Sequence, residues 1–177
     1  MRIRVLSDLH IDFGGAYVPA PAGEDVVVLA GDICEGVAGI EWAVEAFPRT
    51  PIVFVPGNHE YYEAEMTACL DEIRGAAQAL APGRLHVLDR QAVVIDGIRF
   101  IGATLWTDYR LFGGTAEAAQ TAMDYSRKIL LDYRRILVKD ESGADRFLSP
   151  EDSVRLHAPA RQYVTLALAS GDPRKTV

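Results

Sequence analysis

Three short polar clusters each follow directly on an apolar run: Asp8-Leu9-His10, Gly31-Asp32-Ile33-Cys34-Glu35 and Gly57-Asn58-His59-Glu60. Carboxylate, imidazole and amide side chains together make a mixed oxygen and nitrogen donor set. Such a set suits Mn²⁺, Fe or Zn²⁺ better than Ca²⁺, which prefers an all-oxygen cage. The glycines before Asp32 and Asn58 permit a tight turn or a close backbone approach. Singly, each cluster also has an ordinary reading. Gly31-Asp32 can cap the following helix, and Gly57-Asn58 is a frequent turn dipeptide. Three of them in this order, each closing an apolar run, point instead to one metal-binding site.

The apolar pattern predicts the elements that position these clusters. Residues 2–7 alternate as a short strand that ends at Asp8. Val26-Val27-Val28-Leu29-Ala30 is a continuous run, the mark of a strand buried on both faces, and it stops at Gly31-Asp32. Ile52-Val53-Phe54-Val55 is a second such run and stops at Pro56-Gly57. Between these two, Ile40, Ala43, Val44 and Phe47 form a helix stripe that Pro48 ends. Met66, Leu70, Ile73 and Ala77 share one face of a second helix, and residues 14–24, with Gly14, Gly15, Pro19, Pro21 and Gly23, read as a loop. Alternation of this kind predicts an α/β layered fold on a largely parallel sheet, whose ligands bind beyond the carboxyl ends of the strands.

Past the second helix the pattern changes. Residues 85–88, 92–95 and 98–101 are short apolar runs, and Asp96-Gly97 is a hairpin turn, so a second and more antiparallel sheet region is expected here. Residues 115–140 read as charged and helical, and residues 141–148 as a loop. Ser149-Pro150-Glu151-Asp152 is a strong helix start, while Pro159 predicts a kink or a rebuilt turn within that helix. Asp172-Pro173 turns the chain into residues 174–177, which read as the start of a strand.

The three clusters resemble the opening motifs of the calcineurin-like metallophosphoesterases: Asp-x-His, then Gly-Asp-x-x-Asp, then Gly-Asn-His followed by Asp or Glu. The resemblance is close over residues 3–62, with Gly102-Ala103-Thr104-Leu105-Trp106 a weaker continuation. It implies an α/β fold, a four-layer αββα sandwich. It also implies two divalent metal ions (Mn, Fe or Zn) that clamp a phosphomonoester or phosphodiester and generate the attacking hydroxide between them. By the same resemblance Asp8 and His10 bind the first metal, Asp32 bridges both, and Asn58 binds the second. His59 matches the catalytic histidine, and Glu35 stands where the family places the aspartate that orients it, one methylene longer.

The family pattern continues with further metal-binding histidines, including Gly-His-x-His, which this sequence does not contain. Its other histidines, His86 in an apparent strand and His157 near Pro159 in a helix, read as surface or packing residues. The expectation is a single domain over residues 1–177, incomplete at its C-terminus, whose open sheet is covered by further polypeptide, a second copy or a partner chain. The alternatives are an inactive or regulatory metal-binding domain, and a structural module whose Asp and His residues only cap helices. Tyr61, Tyr62, Trp106, Asp108 and Tyr109 read as pocket-wall or packing residues, Arg134 and Arg135 as a solvated helical face beside Asp132 and Asp140, and Cys34 as a small buried thiol.

Composition bounds the remaining classes. The chain has 177 residues, 49% of them hydrophobic and 24% charged, which fits one ordinary globular domain and excludes disorder, collagen and disulfide scaffolds. A net charge of −7 disfavours nucleic acid as a partner and leaves a small-molecule phosphate ester as the expected substrate. Apolar runs such as residues 26–30 fall far short of the ~20 residues a membrane-spanning helix needs. An N-terminus that turns acidic at Asp8, with only two cysteines in the chain, fits a cytoplasmic location.

Overall fold

The computed structural model describes residues 1–14, 17–20, 22–111 and 113–177. Four strands, β1 (Ile3–Leu6), β2 (Val26–Ala30), β3 (Ile52–Val55) and β4 (Leu85–Val87), form one parallel sheet in chain order. Alternate residues of β2 and β3 enter two different cores. Val27, Leu29, Ile52 and Phe54 face the helices α1 (Ala38–Ala46) and α2 (Met66–Leu80), together with Ile40 and Ile73. Val26 and Val53 face the other way, onto Phe100 and Leu88. Apolar residues on both faces are what make these strands continuous hydrophobic runs.

The second face is covered by the antiparallel hairpin β5 (Gln91–Ile95) and β6 (Ile98–Gly102). Its turn residues Asp96 and Gly97 both have positive φ, 47° and 77°, the backbone that a two-residue hairpin of this twist requires. Helix α5 (Pro150–Ala169) packs on the outer side of β6, so the layers run helix, sheet, sheet, helix, as the αββα expectation has it. Arg99 of β6 ties these outer layers together through the Ala167 carbonyl and the Ser170 hydroxyl. The last residues run parallel to β6, with Val177 N donating to the Arg99 carbonyl and Arg99 N to that of Lys175. That agrees with the strand start read at residues 174–177.

Several expectations are corrected. Residues 85–88 do not open the antiparallel region. β4 pairs in parallel with β3 because Leu85 and Val87 belong to the core under α2. The expected charged helix divides into α3 (Ala116–Ile129) and α4 (Asp132–Arg135), then gives way to a small hairpin of β7 (Leu137–Lys139) and β8 (Asp145–Phe147). The Asp140 carboxylate closes that turn by accepting from Ser142 N and Ala144 N, with Gly143 at φ 83°. Helix α5 runs on through Pro159 rather than being rebuilt there. Within the loop of residues 14–24, Gly15 and Pro21 lie outside the described residues.

Candidate metal centre

Parallel pairing sets the ends of β1, β2 and β3 side by side, and the backbone ladder continues past them. Asp8 N donates to the Gly31 carbonyl at 3.0 Å, and His10 N to that of Asp32 at 3.1 Å. Asp8, His10 and Asp32 all take left-handed backbone, with φ of 55°, 44° and 55°. Each such residue costs ~1–3 kcal/mol and persists only where the surroundings impose it, a pattern that clusters at functional sites. The result is convergence: one donor atom from each of Asp8, His10 and Asp32 lies within 4.8 Å of the others. His10 Nδ1 is buried without a hydrogen-bond partner among the described residues, and His10 Nε2 sits 3.9 Å from Asp32 Oδ2. Two carboxylates and the His10 imidazole, one of whose ring nitrogens has no other partner, fit a divalent cation.

Glycine is required where β2 and β3 end. A Cβ on Gly57 would collide with Asp32 Oδ1 and lie 2.8 Å from Asp32 N, and one on Gly31, at φ +89°, would meet the Gly57 backbone at 3.0 Å. The two strand ends thus touch backbone to backbone, and Asp32 fills the space a side chain at position 57 would take. Glu60 locks the arrangement. Fully buried, it accepts from Asp32 N at 3.0 Å, Ile33 N at 2.7 Å and Gly57 N at 2.6 Å, stapling both strand-end loops. Burial raises its pKa, and the three N–H donors only partly offset that shift.

Asn58 donates its amide N–H to Asp132 Oδ1 at 3.0 Å, which leaves its carbonyl oxygen as the end available to a cation. The Tyr62 hydroxyl donates to the same Asp132 oxygen at 2.7 Å, so the phenol is held neutral by burial and by this carboxylate. His59 is 3% exposed, and its backbone N–H donates to Asp32 Oδ1 at 2.9 Å. Its ring is packed by His10, Phe13 and Tyr62 at centroid distances of 4.5, 5.5 and 4.6 Å.

The carboxylate beside this ring is not the expected one. Asp12 Oδ2 lies 3.0 Å from His59 Nε2, while the nearest Glu35 oxygen is 4.0 Å away. Glu35 is instead bonded to Arg135 Nη2 at 2.9 Å, and Arg135 also binds Glu63 and stacks on Tyr62 with 4.5 Å from guanidinium carbon to ring centroid. Burial would raise the Asp12 pKa, but the His59 hydrogen bond and the neighbouring His59 and His10 rings outweigh it and hold the carboxyl low. Arg135 is therefore an ion-pair partner at the site rather than part of a solvated face.

Asp12, Glu60, Asp132 and Arg135 are the residues that sequence reasoning missed. Asp12 had a signal, lying two residues past His10; Asp132 had none, 74 residues from its partner Asn58. Of the other histidines, His86 sits on β4 opposite Val53, and His157 on α5 contacts the Trp106 carbonyl. Neither joins the Asp8–His10–Asp32 group. Tyr61 is a core residue, and Trp106 lines a 440 Å³ cleft with Gly57, Asn58 and Thr104. Both cysteines are free and buried, and burial, chiefly, keeps the Cys34 thiol protonated.

Among solved structures, the chain is similar to a phosphopantetheinyl hydrolase from Mycobacterium tuberculosis, with a TM-score of 0.58 and 19% sequence identity. The similarity covers 96% of this chain and 62% of that one, so the chain spans somewhat under two thirds of its neighbour's length. Comparison with curated proteins finds no significant match. A family model for calcineurin-like phosphoesterases matches residues 1–127, which include every strand end that carries a motif, and on that match the chain belongs to this family.

Proposed function

We propose that the chain hydrolyses a small-molecule phosphomonoester or phosphodiester with divalent metal ions held in a binuclear site. The carrying observation is the convergence of Asp8, His10 and Asp32 on strained, left-handed backbone, with a buried and unpartnered imidazole nitrogen among them. Asp8, His10 and Asp32 hold the first cation, and Asp32 with the Asn58 carbonyl oxygen holds the second. Bound divalent cations supply positive charge against phosphate oxygens and acidify water, the chemistry that ester hydrolysis needs. Asp132 keeps the Asn58 amide turned so that its oxygen faces the site. His59, packed against His10 and anchored to Asp32 through its backbone, presents its ring to the substrate phosphate.

The similarity to a hydrolase of a phosphopantetheinyl group supports a phosphoester substrate of small-molecule size. A net charge of −7 argues against nucleic acid, and no helix among the described residues is long and apolar enough to cross a membrane. We place the chain in the cytoplasm, as one domain over residues 1–177. Metal is the deciding experiment. Purified chain titrated calorimetrically with Mn²⁺, Fe²⁺ and Zn²⁺ should bind one ion firmly and a second more weakly, since the second position has only Asp32 and Asn58. Hydrolysis of an aryl phosphate should follow metal loading. Absence of binding would overturn the site.

A second reading has its own observation. His86 and His157 stand apart from the metal group, which leaves the second position poor in ligands. Firm binding of one ion without hydrolysis would identify a regulatory metal-binding domain instead.

A further inference from the structure

We infer that Asp12, not Glu35, is the carboxylate that positions His59, an assignment that rests on the phosphoesterase reading for its catalytic consequence but not for its geometry. His10, at φ 44°, caps a one-turn 3₁₀ helix over Ile11–Phe13 that Gly14 ends at φ 96°. His10 N and Ile11 N bond to the Asp32 and Ile33 carbonyls at 3.1 Å each, which fixes this turn against the end of β2. The left-handed backbone at His10 thus sends the chain back across its own metal-ligand motif. Asp12 and Phe13 land on the His59 ring as a result.

The distances separate the two candidates. Asp12 Oδ2 is at hydrogen-bond distance from His59 Nε2, 3.0 Å, and Glu35 Oε1, at 4.0 Å, is not. Arg135 explains why Glu35 is unavailable, because its guanidinium binds the same Glu35 oxygen at 2.9 Å while Glu63 and Tyr62 hold it in place. The longer side chain at position 35 reaches past the histidine to that cation. Asp12 therefore accepts the Nε2 proton of His59. That bond selects the tautomer and ring orientation and leaves Nδ1, which has no partner among the described residues, as the nitrogen turned toward substrate.

The test is a long-range proton–nitrogen correlation spectrum of the histidine rings in the whole chain, recorded with and without Zn²⁺. Wild type should show His59 as a single tautomer with its proton on Nε2 in both states. Asp12→Ala should convert this to an exchanging mixture, whereas Glu35→Gln should leave the His59 signals where they are. On an aryl phosphate, Asp12→Ala should lower kcat about 10–100-fold with KM little changed, and Asp12→Glu should recover part of the loss. If Asp12→Ala does not fold, Asp12→Leu, of similar size and without an acceptor, is read in the same way. An unchanged tautomer in Asp12→Ala, or a changed one in Glu35→Gln, overturns the assignment. Displacement of the Nε2 proton by Zn²⁺ also overturns it, since His10, Asp12 and His59 would then be ligands of one ion. The spectrum needs no turnover, so a wild type with the single tautomer but no hydrolysis counts against the phosphoesterase reading and leaves the role of Asp12 standing.

Discussion

Two aspartates lie at the centres of charged clusters, and they are built in opposite ways. Asp152, near the start of α5, accepts from Arg146 Nη1 and Nη2 at 2.6 and 2.8 Å, from Arg155, and from Ser149 N and Oγ in a capping box. Its backbone is ordinary helix, and every strong donor around it is matched. Asp32 has no arginine or lysine partner among the described residues. It sits on left-handed backbone facing Asp8 and His10, and leaves the His10 Nδ1 atom without a partner. A cluster whose charges are already compensated stabilises the fold. One that concentrates carboxylates without compensation, on strained backbone, is kept for something that arrives from outside.

Substitutions at these positions should break that contrast if it is wrong. The largest effect belongs to Asp32→Ala, which should remove bound metal from both proposed positions, since the proposed site has them share its carboxylate. Elemental analysis that finds unchanged metal would mean Asp32 is structural after all. His59→Ala should come next, lowering hydrolysis by ~10²–10⁴-fold with metal retained. Loss of metal together with activity would turn His59 into a ligand. Glu60→Ala leaves three backbone N–H groups, one buried and two part-buried, without an acceptor, and a stability loss of about 3 kcal/mol by urea unfolding is expected. A small loss would show that water or a shifted loop replaces the staple.

Asp152→Asn sharpens the contrast from the other side, costing about 1–2 kcal/mol through the cap and the arginine pairs, with metal binding untouched. Its pH dependence has a definite sign. Burial works against ionisation of Asp152, but the Arg146 and Ser149 hydrogen bonds prevail and hold its pKa well below the ordinary carboxylate value. The stabilisation is therefore complete above about pH 4, the unfolded-state value, and is lost as pH falls from there toward the folded one. Denaturant unfolding of wild type and variant should show their difference shrinking below that point. A difference independent of pH would mean that the carboxylate charge contributes nothing.

Legibility in the sequence followed the range of the forces involved. The strands over 26–30 and 52–55 and the two amphipathic helices could be read because their apolar periodicity is local and both strand faces are buried. The Asp96-Gly97 turn was readable for the same reason, since its positive φ angles demand those residues. Placement of residues 85–88 was not, because a three-residue strand carries no mark of parallel or antiparallel pairing. The β7–β8 hairpin was missed in a stretch whose charge pattern suits a helix as well.

At the candidate site the same division holds. By itself the sequence determined which donor types stand at the ends of the first three strands, in what order, and that glycine precedes Asp32 and Asn58. Those features depend on side-chain chemistry and on backbone freedom at single positions, which residue identity sets directly. Only the tertiary structure decided which carboxylate meets His59. A hydrogen bond depends on tenths of an ångström, and the competition was settled by Arg135, a cation 100 residues from Glu35 in the chain and brought beside it by α4. It also decided that Asp132 orients Asn58 and that Glu60 faces inward to three backbone donors. No local pattern encodes these partnerships, because each is made by chain segments whose proximity exists only after the layers have packed.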